Sequence, residues 1–255
     1  MVEKEIAVRT PDGEMPTFTV HPDGTGPFPV ALLYMDGVGY REQIKSNARR
    51  FAAAGYLCAA PDLFYRSGAG ITFDFGLMAR QGFQGEEAQR MQSVRRSLTP
   101  EGAVSDTEAV LEAVSRDPAA ARGPAVCAGY CMGASVALHA AAALGERFAA
   151  VACIHPGALV TDAPDSPHHD LARVRGELYV AFAEIDRSAT PEVVDRFRQE
   201  MERQGVRGVV ERVPGVAHGF SMADLDVYDR EASERHFERT LDLWGRNLSA
   251  QPVGG

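Results

Sequence analysis

Short apolar runs and longer amphipathic ones alternate along this chain. Residues 6–10 and 15–20 are β-prone and flank the turn triplet Pro11-Asp12-Gly13, which predicts a hairpin. The loop Gly24-Thr25-Gly26-Pro27 follows. Residues 29–35 are almost continuously apolar, as in a strand buried on both faces, and stop at Asp36-Gly37-Val38-Gly39. A helix is expected over 41–54, closed by Gly55, then a second buried strand over 56–60, ended by Pro61-Asp62. The rhythm resumes at the capping box Ser105-Asp106-Thr107-Glu108, which opens a helix to Ser115. Strands are then expected at 124–128, 149–154, 177–185 and 208–213, with 163–167 as loop. Helices are expected at 135–144, from the N-cap Thr190 and Pro191 to Gln204, and over about 229–247. This alternation argues for an α/β class, with a mostly parallel central sheet flanked by helices on both faces.

Residues 66–100 interrupt the pattern. After the loop Ser67-Gly68-Ala69-Gly70, Phe73, Phe75, Met78 and Phe83 are mixed with Arg80, Arg90, Arg95 and Arg96. Such an excursion suits a lid or pocket wall, or an ordinary decorating helix. No repeat or second domain is visible, so 1–248 reads as one domain and 249–255 as a flexible tail.

Composition narrows the function classes. The 255 residues suffice for one large α/β domain. A formal net charge of -9 disfavours nucleic acid as a partner. No apolar run approaches the roughly 20 residues of a membrane span. Met1-Val2-Glu3-Lys4-Glu5 lacks the features of a signal peptide, so a cytoplasmic location is expected. Cys58, Cys127 and Cys153 lie within apolar runs and read as small core residues. Cys131 differs, because turn glycines frame it.

The stretch Gly129-Tyr130-Cys131-Met132-Gly133 joins a strand to an Ala-rich helix. That is the nucleophile-elbow arrangement of α/β-hydrolases, with cysteine in place of serine. Small neighbours let helix and strand pass closely, the central side chain projects above the sheet, and the N–H of Met132 can face a developing oxyanion. Asp186 and His218 also stand at strand ends, giving the chain order nucleophile, acid, histidine. A thiol needs a base to supply thiolate at neutral pH, and a carboxylate to orient that base. Rivals remain: Asp162, Asp165 and Asp170 as acids, and His155, at another strand end, as base. His139 and His236 read as structural, and His21, His168 and His169 as surface loop residues. Gly37 follows the first buried strand, where its N–H can be the second oxyanion donor, and the Asp36 carboxylate can point toward Cys131.

These residues resemble the dienelactone hydrolase family, the cysteine branch of the α/β-hydrolases. The likeness runs from about residue 5 to 247 and is carried by Gly55-Tyr56 with Pro61-Asp62-Leu63, by the elbow, and by Gly215 through His218-Gly219-Phe220. It implies an α/β-hydrolase fold and cleavage of a small ester or lactone through a thioester, without metal or cofactor. Cys131 is then the nucleophile, His218 the base and Asp186 its orienter, with Met132 and Gly37 forming the oxyanion hole. It also implies an acid beside the thiol, usually glutamate, here Asp36. Tyr130 and Phe220 fall among the expected pocket residues, and Ala183 replaces a usual glycine. Dienelactone-specific members carry a carboxylate-gripping arginine where this chain has Met222, and a second one near Arg90. Dienelactone is therefore expected to be a poor substrate beside a less charged ester. The substrate is the only partner implied, with the chain a monomer or small homo-oligomer. Acyl transfer or C–C hydrolysis on the same residues, or a redox-sensing or binding thiol protein, are the alternatives.

Overall fold

A computed structural model describes residues 1–249; residues 250–255, most of the expected tail, lie outside the described residues. The first two strands, β1 (Val2–Thr10) and β2 (Gly13–His21), form the expected antiparallel hairpin. The apolar runs become β3 (Val30–Tyr34), β4 (Leu57–Pro61), β5 (Ala125–Tyr130) and β6 (Phe148–Ile154), every residue of which is buried. With β7 (Glu177–Ile185) and β8 (Gly208–Ala217) they complete an eight-stranded sheet of order β1-β2-β4-β3-β5-β6-β7-β8. Pairing is antiparallel for β1–β2 and β2–β4 and parallel from β4 to β8. Fully apolar strands belong where helices cover both faces.

Those helices are α1 (Glu42–Ala53), α2 (Phe75–Arg80), α3 (Glu86–Arg95), α4 (Pro100–Ser115), α5 (Met132–Leu144), α6 (Pro191–Arg203) and α7 (Arg230–Ser249). Side chains alternate across a strand, so neighbouring residues reach opposite faces. On one face Tyr34 meets Thr107 of α4, their hydroxyls 3.0 Å apart. On the other, Tyr130 meets His236 of α7. There Phe51 of α1 packs on Trp244 and Phe237 of α7, with ring centroids 4.5 and 4.8 Å apart. Among the described residues, no helix is long and apolar enough to cross a membrane.

Several elements differ from expectation. Helix α4 starts at Pro100, because the Thr99 hydroxyl accepts from the Gly102 N–H and Pro100 occupies the first turn, where its missing N–H costs nothing. The capping box at Ser105 is thus interior. Strand β8 runs through Pro214-Gly215, which the sequence marks as a stop; as the sheet's edge strand it tolerates a missing donor. Residues Pro167–Arg173 form a 3₁₀ helix that no pattern announced.

The root of the 66–100 excursion is tied down by polar contacts. Buried Asp62 accepts from the N–H groups of Phe64 and Gly70 at 3.0 and 2.7 Å. Arg66 grips buried Asp106 of α4 through two bonds of 2.7 and 2.9 Å, and reaches Asp12 of the hairpin at 2.8 Å. Beyond this root, α3 leans over the loop after β3. A Cβ placed on Gly37 would meet Met91 Sδ at 3.8 Å and Arg95 Cδ at 3.9 Å.

Histidines are more deeply placed than their local sequence suggests. Of the three expected in surface loops, only His169 is exposed; His21 stacks on Phe28, and His168 is buried against Ser166. His236 is 1% exposed among Tyr130, Phe220 and Phe237, and burial pushes its pKa down to about 3. A histidine depressed in the fold takes up its proton near pH 6.5 only when unfolded, so stability is present above that pH and falls as pH drops. The urea midpoint should therefore decline between pH 6.5 and 5, with a slope of up to about 1.4 kcal/mol per pH unit for each such histidine. In His236→Phe the decline should be shallower, as urea titrations at matched pH would show.

Candidate active site

The site begins at the junction of β5 and α5. A Cβ on Gly129 would lie 2.1 Å from the Gly133 carbonyl oxygen, and one on Gly133 would lie 2.4 Å from that of Tyr34. Only glycine permits this approach. Between them Cys131 is held at φ 52° and ψ −111°, a conformation that costs a non-glycine residue about 1–3 kcal/mol. Its N–H donates to Ile154 at 3.1 Å, and its carbonyl accepts from Gly157 at 3.3 Å. Met132, the first residue of α5, presents one of the helix's leading N–H groups, which have no partner inside the helix.

Parallel register assembles the rest. Ile185 and Ala217 are partners across β7 and β8, so the next residues, Asp186 and His218, emerge side by side. His218 Nδ1 lies 2.6 Å from Asp186 Oδ2. The other carboxylate oxygen, Oδ1, accepts from the N–H and hydroxyl of Ser188 at 2.8 and 2.7 Å. Tyr130 and Ile154 are partners in the same way, which sets His155 beside Cys131.

Burial would raise the Cys131 thiol, but the charge and hydrogen bond of His218, helped by Arg95, hold it below the ordinary thiol range. Asp36 opposes them through its charge. Burial would likewise depress His218, yet Cys131 and the hydrogen bond to Asp186 raise it well above a free imidazole. Asp186 is lowered: burial favours its neutral form, and the bond to His218 outweighs burial. All three directions favour a thiolate–imidazolium pair.

Asp36, expected to engage the thiol, bonds to Arg41 instead. Its Oδ1 accepts from Arg41 Nη1 at 2.6 Å and the Val38 N–H at 2.9 Å, and its Oδ2 from Arg41 Nη2 at 3.0 Å. Arg41 also holds Asp224, in the loop after His218, at 2.6 and 3.1 Å. One guanidinium thus ties the loop after β3 to the loop that carries the histidine. Sequence patterns gave no sign of Asp224, Ser188 or Ser221, because each matters only through a contact between distant loops.

His155, the rival base, is fully buried at φ 37°. Its Nε2 shares a 2.8 Å hydrogen bond with Ser221 Oγ, and its ring packs edge-on against His218 with centroids 5.2 Å apart. Burial, then the charge of His218, drives it to the neutral form. Of the rival acids, Asp162 is turned toward Arg196 and Asp170 toward Arg173. Beside Met132 a cleft of about 290 Å³ runs along α5 past Ser135, Val136 and His139. Arg95, Thr99, Thr161 and Asp165 are among its walls. Among the described residues, no group of three or more His, Cys, Asp or Glu side chains is placed to hold a metal ion.

The sequence model of the dienelactone hydrolase family matches residues 15–248. The chain belongs to the dienelactone hydrolase family. It is 37% identical over 65 residues to a Yersinia pestis protein named as a carboxymethylenebutenolidase, covering 25% of this chain and 24% of the relative. A Methylorubrum extorquens protein of the same name is 35% identical over 68 residues, covering 27% and 23%. The matched stretch thus spans about a quarter of these relatives' own length. A Klebsiella pneumoniae structure named as a dienelactone hydrolase superposes with a TM-score of 0.84, at 18% identity, covering 96% of this chain and 98% of that one; this shows the fold.

Against the family pattern, the expected pocket residues mostly lie outside the cleft. Tyr130, Phe220 and Met222 are fully buried, Met222 with its sulfur 3.9 Å from Asn47 Nδ2. They pack beneath the loops: Tyr130 comes just before Cys131, and Phe220 and Met222 follow His218, at offsets that turn them into the core. Arg90 is occupied by Glu87 and the Thr72 carbonyl, and lies over the Phe73 ring.

The Arg41–Asp36 pair is largely buried, with side chains 12% and 4% exposed. Arg41→Met should therefore strand a buried carboxylate and cost about 3–5 kcal/mol. Arg41→Met with Asp36→Asn should recover much of this, as a double-mutant cycle of urea unfolding would measure.

Proposed function

We propose that this chain hydrolyses a small ester or lactone, with Cys131 as nucleophile, His218 as base and Asp186 as its orienter. The observation that carries the reading is the 2.6 Å bond between His218 Nδ1 and Asp186, with the thiol of the strained turn near enough for the His218 charge to hold it down. Membership of a lactone-hydrolase family and the names of the curated relatives agree with it.

The chemistry follows from the geometry. The thiolate attacks the carbonyl carbon, and the developing oxyanion meets the N–H groups of Met132 and Gly37. When the tetrahedral species collapses, the His218 imidazolium gives its proton to the leaving alkoxide, and a thioester to Cys131 remains. Neutral His218 then takes a proton from water, whose oxygen attacks the thioester. Collapse of that second adduct releases the acid and restores the ion pair. Asp186, fixed by Ser188, keeps Nδ1 protonated so that Nε2 serves as the working nitrogen.

Asp36 stays with Arg41, so among the described residues no acid is hydrogen-bonded to the thiol. Met222 is buried and Arg90 engaged, so neither grips a substrate carboxylate. A neutral ester or lactone fits this site better than dienelactone.

Short-chain p-nitrophenyl esters provide the test. Wild type should turn over. Cys131→Ser, Asp186→Ala and His218→Ala should each lose at least about a hundred-fold in kcat/KM. Mass spectrometry should place the trapped acyl group on Cys131. The acid limb of the kcat/KM profile should fall well below the ordinary thiol pKa, because His218 holds the thiol down. Inert wild type with a readily oxidised Cys131 would overturn the reading in favour of a thiol sensor.

A further inference from the structure

We propose that Arg95, carried in by α3, is a charge-supplying residue that stabilises the Cys131 thiolate and the oxyanion formed on attack, rather than a grip for a substrate carboxylate. This rests on Cys131 being the nucleophile.

Three observations converge on Arg95. Its Cδ lies 3.9 Å from the Cβ position of Gly37, one proposed oxyanion donor. It lines the same cleft as Met132, the other proposed donor. The Arg95 stem therefore lies against Gly37, and its side chain faces the cleft that Met132 also lines. The third observation is its lack of a partner. Arg41, Arg66 and Arg90 are each locked to carboxylates, whereas Arg95 has no ion pair or side-chain hydrogen bond among the described residues. A half-buried cation without a counter-ion beside a nucleophile acts on whatever negative charge arises there.

The charges around Cys131 can be stated element by element. His218 approaches from the loop after β8, Asp36 from the loop after β3, and Arg95 from α3. His155, after β6, is neutral. Asp36 works against the thiolate, although Arg41 engages both its oxygens. Across the cleft, Asp165 and His139 share the walls with Arg95, and Asp165 is exposed to solvent. Arg95 is therefore a second cation, after His218, that works against Asp36 at the sulfur. Attack moves the negative charge from sulfur to the carbonyl oxygen, toward Gly37 and Met132, and Arg95 lies against Gly37 on that side. Because it comes from the 66–100 excursion, this part of the electrostatics depends on α3 lying against the loop after β3.

Arg95→Gln and Arg95→Lys should be compared with wild type on p-nitrophenyl acetate and on the carboxylate-bearing mono-p-nitrophenyl succinate. In the glutamine variant kcat should fall about ten-fold on both esters, less than for a fully enclosed oxyanion donor because the charge is partly solvated. Lysine should restore most of it. Alkylation of Cys131 by neutral iodoacetamide, located by peptide mass spectrometry, should have its acid limb shifted to higher pH in Arg95→Gln. The wild-type preference for anionic iodoacetate over iodoacetamide should drop about five-fold. A loss confined to KM for the succinate ester would overturn the proposal, since it would mark a carboxylate grip. So would alkylation profiles identical to wild type. Full ester hydrolysis by Cys131→Ser would instead refute the nucleophile reading, while the alkylation profiles would still report whether Arg95 acts on the thiol.

Discussion

The close crossing of β5 and α5 is the constraint on which the site depends. Helix backbone comes so near the strands that a methyl group at Gly129 would collide with the Gly133 carbonyl oxygen, and one at Gly133 with the Tyr34 carbonyl oxygen of β3. The chain reverses within one residue, and that residue, Cys131, takes a positive φ. The strain is held by bonds from both sides, to Ile154 and from Gly157, so that β6 and its following loop fix the turn. A side chain at such a turn has nowhere to go but out of the sheet, where the ends of β7 and β8 deliver Asp186 and His218.

Around this turn the fold sorts its charges. An imidazolium and a partly solvated guanidinium approach the sulfur, while the nearest carboxylate is held by Arg41. Removing that carboxylate from direct contact with the thiol is a consequence of length and competition. Aspartate is one methylene shorter than glutamate, and Arg41 offers it two parallel N–H donors, the strongest geometry available to a carboxylate. The same guanidinium binds Asp224, so the electrostatic setting of the thiol and the position of the histidine loop are mechanically linked.

Buried histidines form a second layer. His155 packs edge-on against the His218 ring, and Tyr130, His236 and Phe220 lie behind it. Kept neutral by burial, these imidazoles can pack as aromatic rings. The same burial makes acid pH unfavourable to the fold, because each must be charged once the chain opens.

How much the sequence determined varies from residue to residue. Runs of apolar residues set the strands of the sheet, since a strand covered on both faces can bury nothing else. Glycine spacing set the elbow, since only glycine survives the crossing. Strand-end positions also singled out Asp186 and His218, because parallel strands bring their carboxyl ends to one edge. The start of α4 at Thr99 was legible in principle, but the capping box at Ser105 competed with it. Tertiary structure alone decided where Asp36 points, whether Tyr130, Phe220 and Met222 face the cleft, and which arginine of residues 66–100 lies against the loop after β3. Each of these depends on contacts that no local pattern announces: Arg41, itself held by Asp224, for Asp36, α7 for Tyr130, and Glu87 with the Thr72 carbonyl for Arg90. Local sequence fixes what a side chain is able to do, whereas the charge or ring it meets is chosen by register and packing.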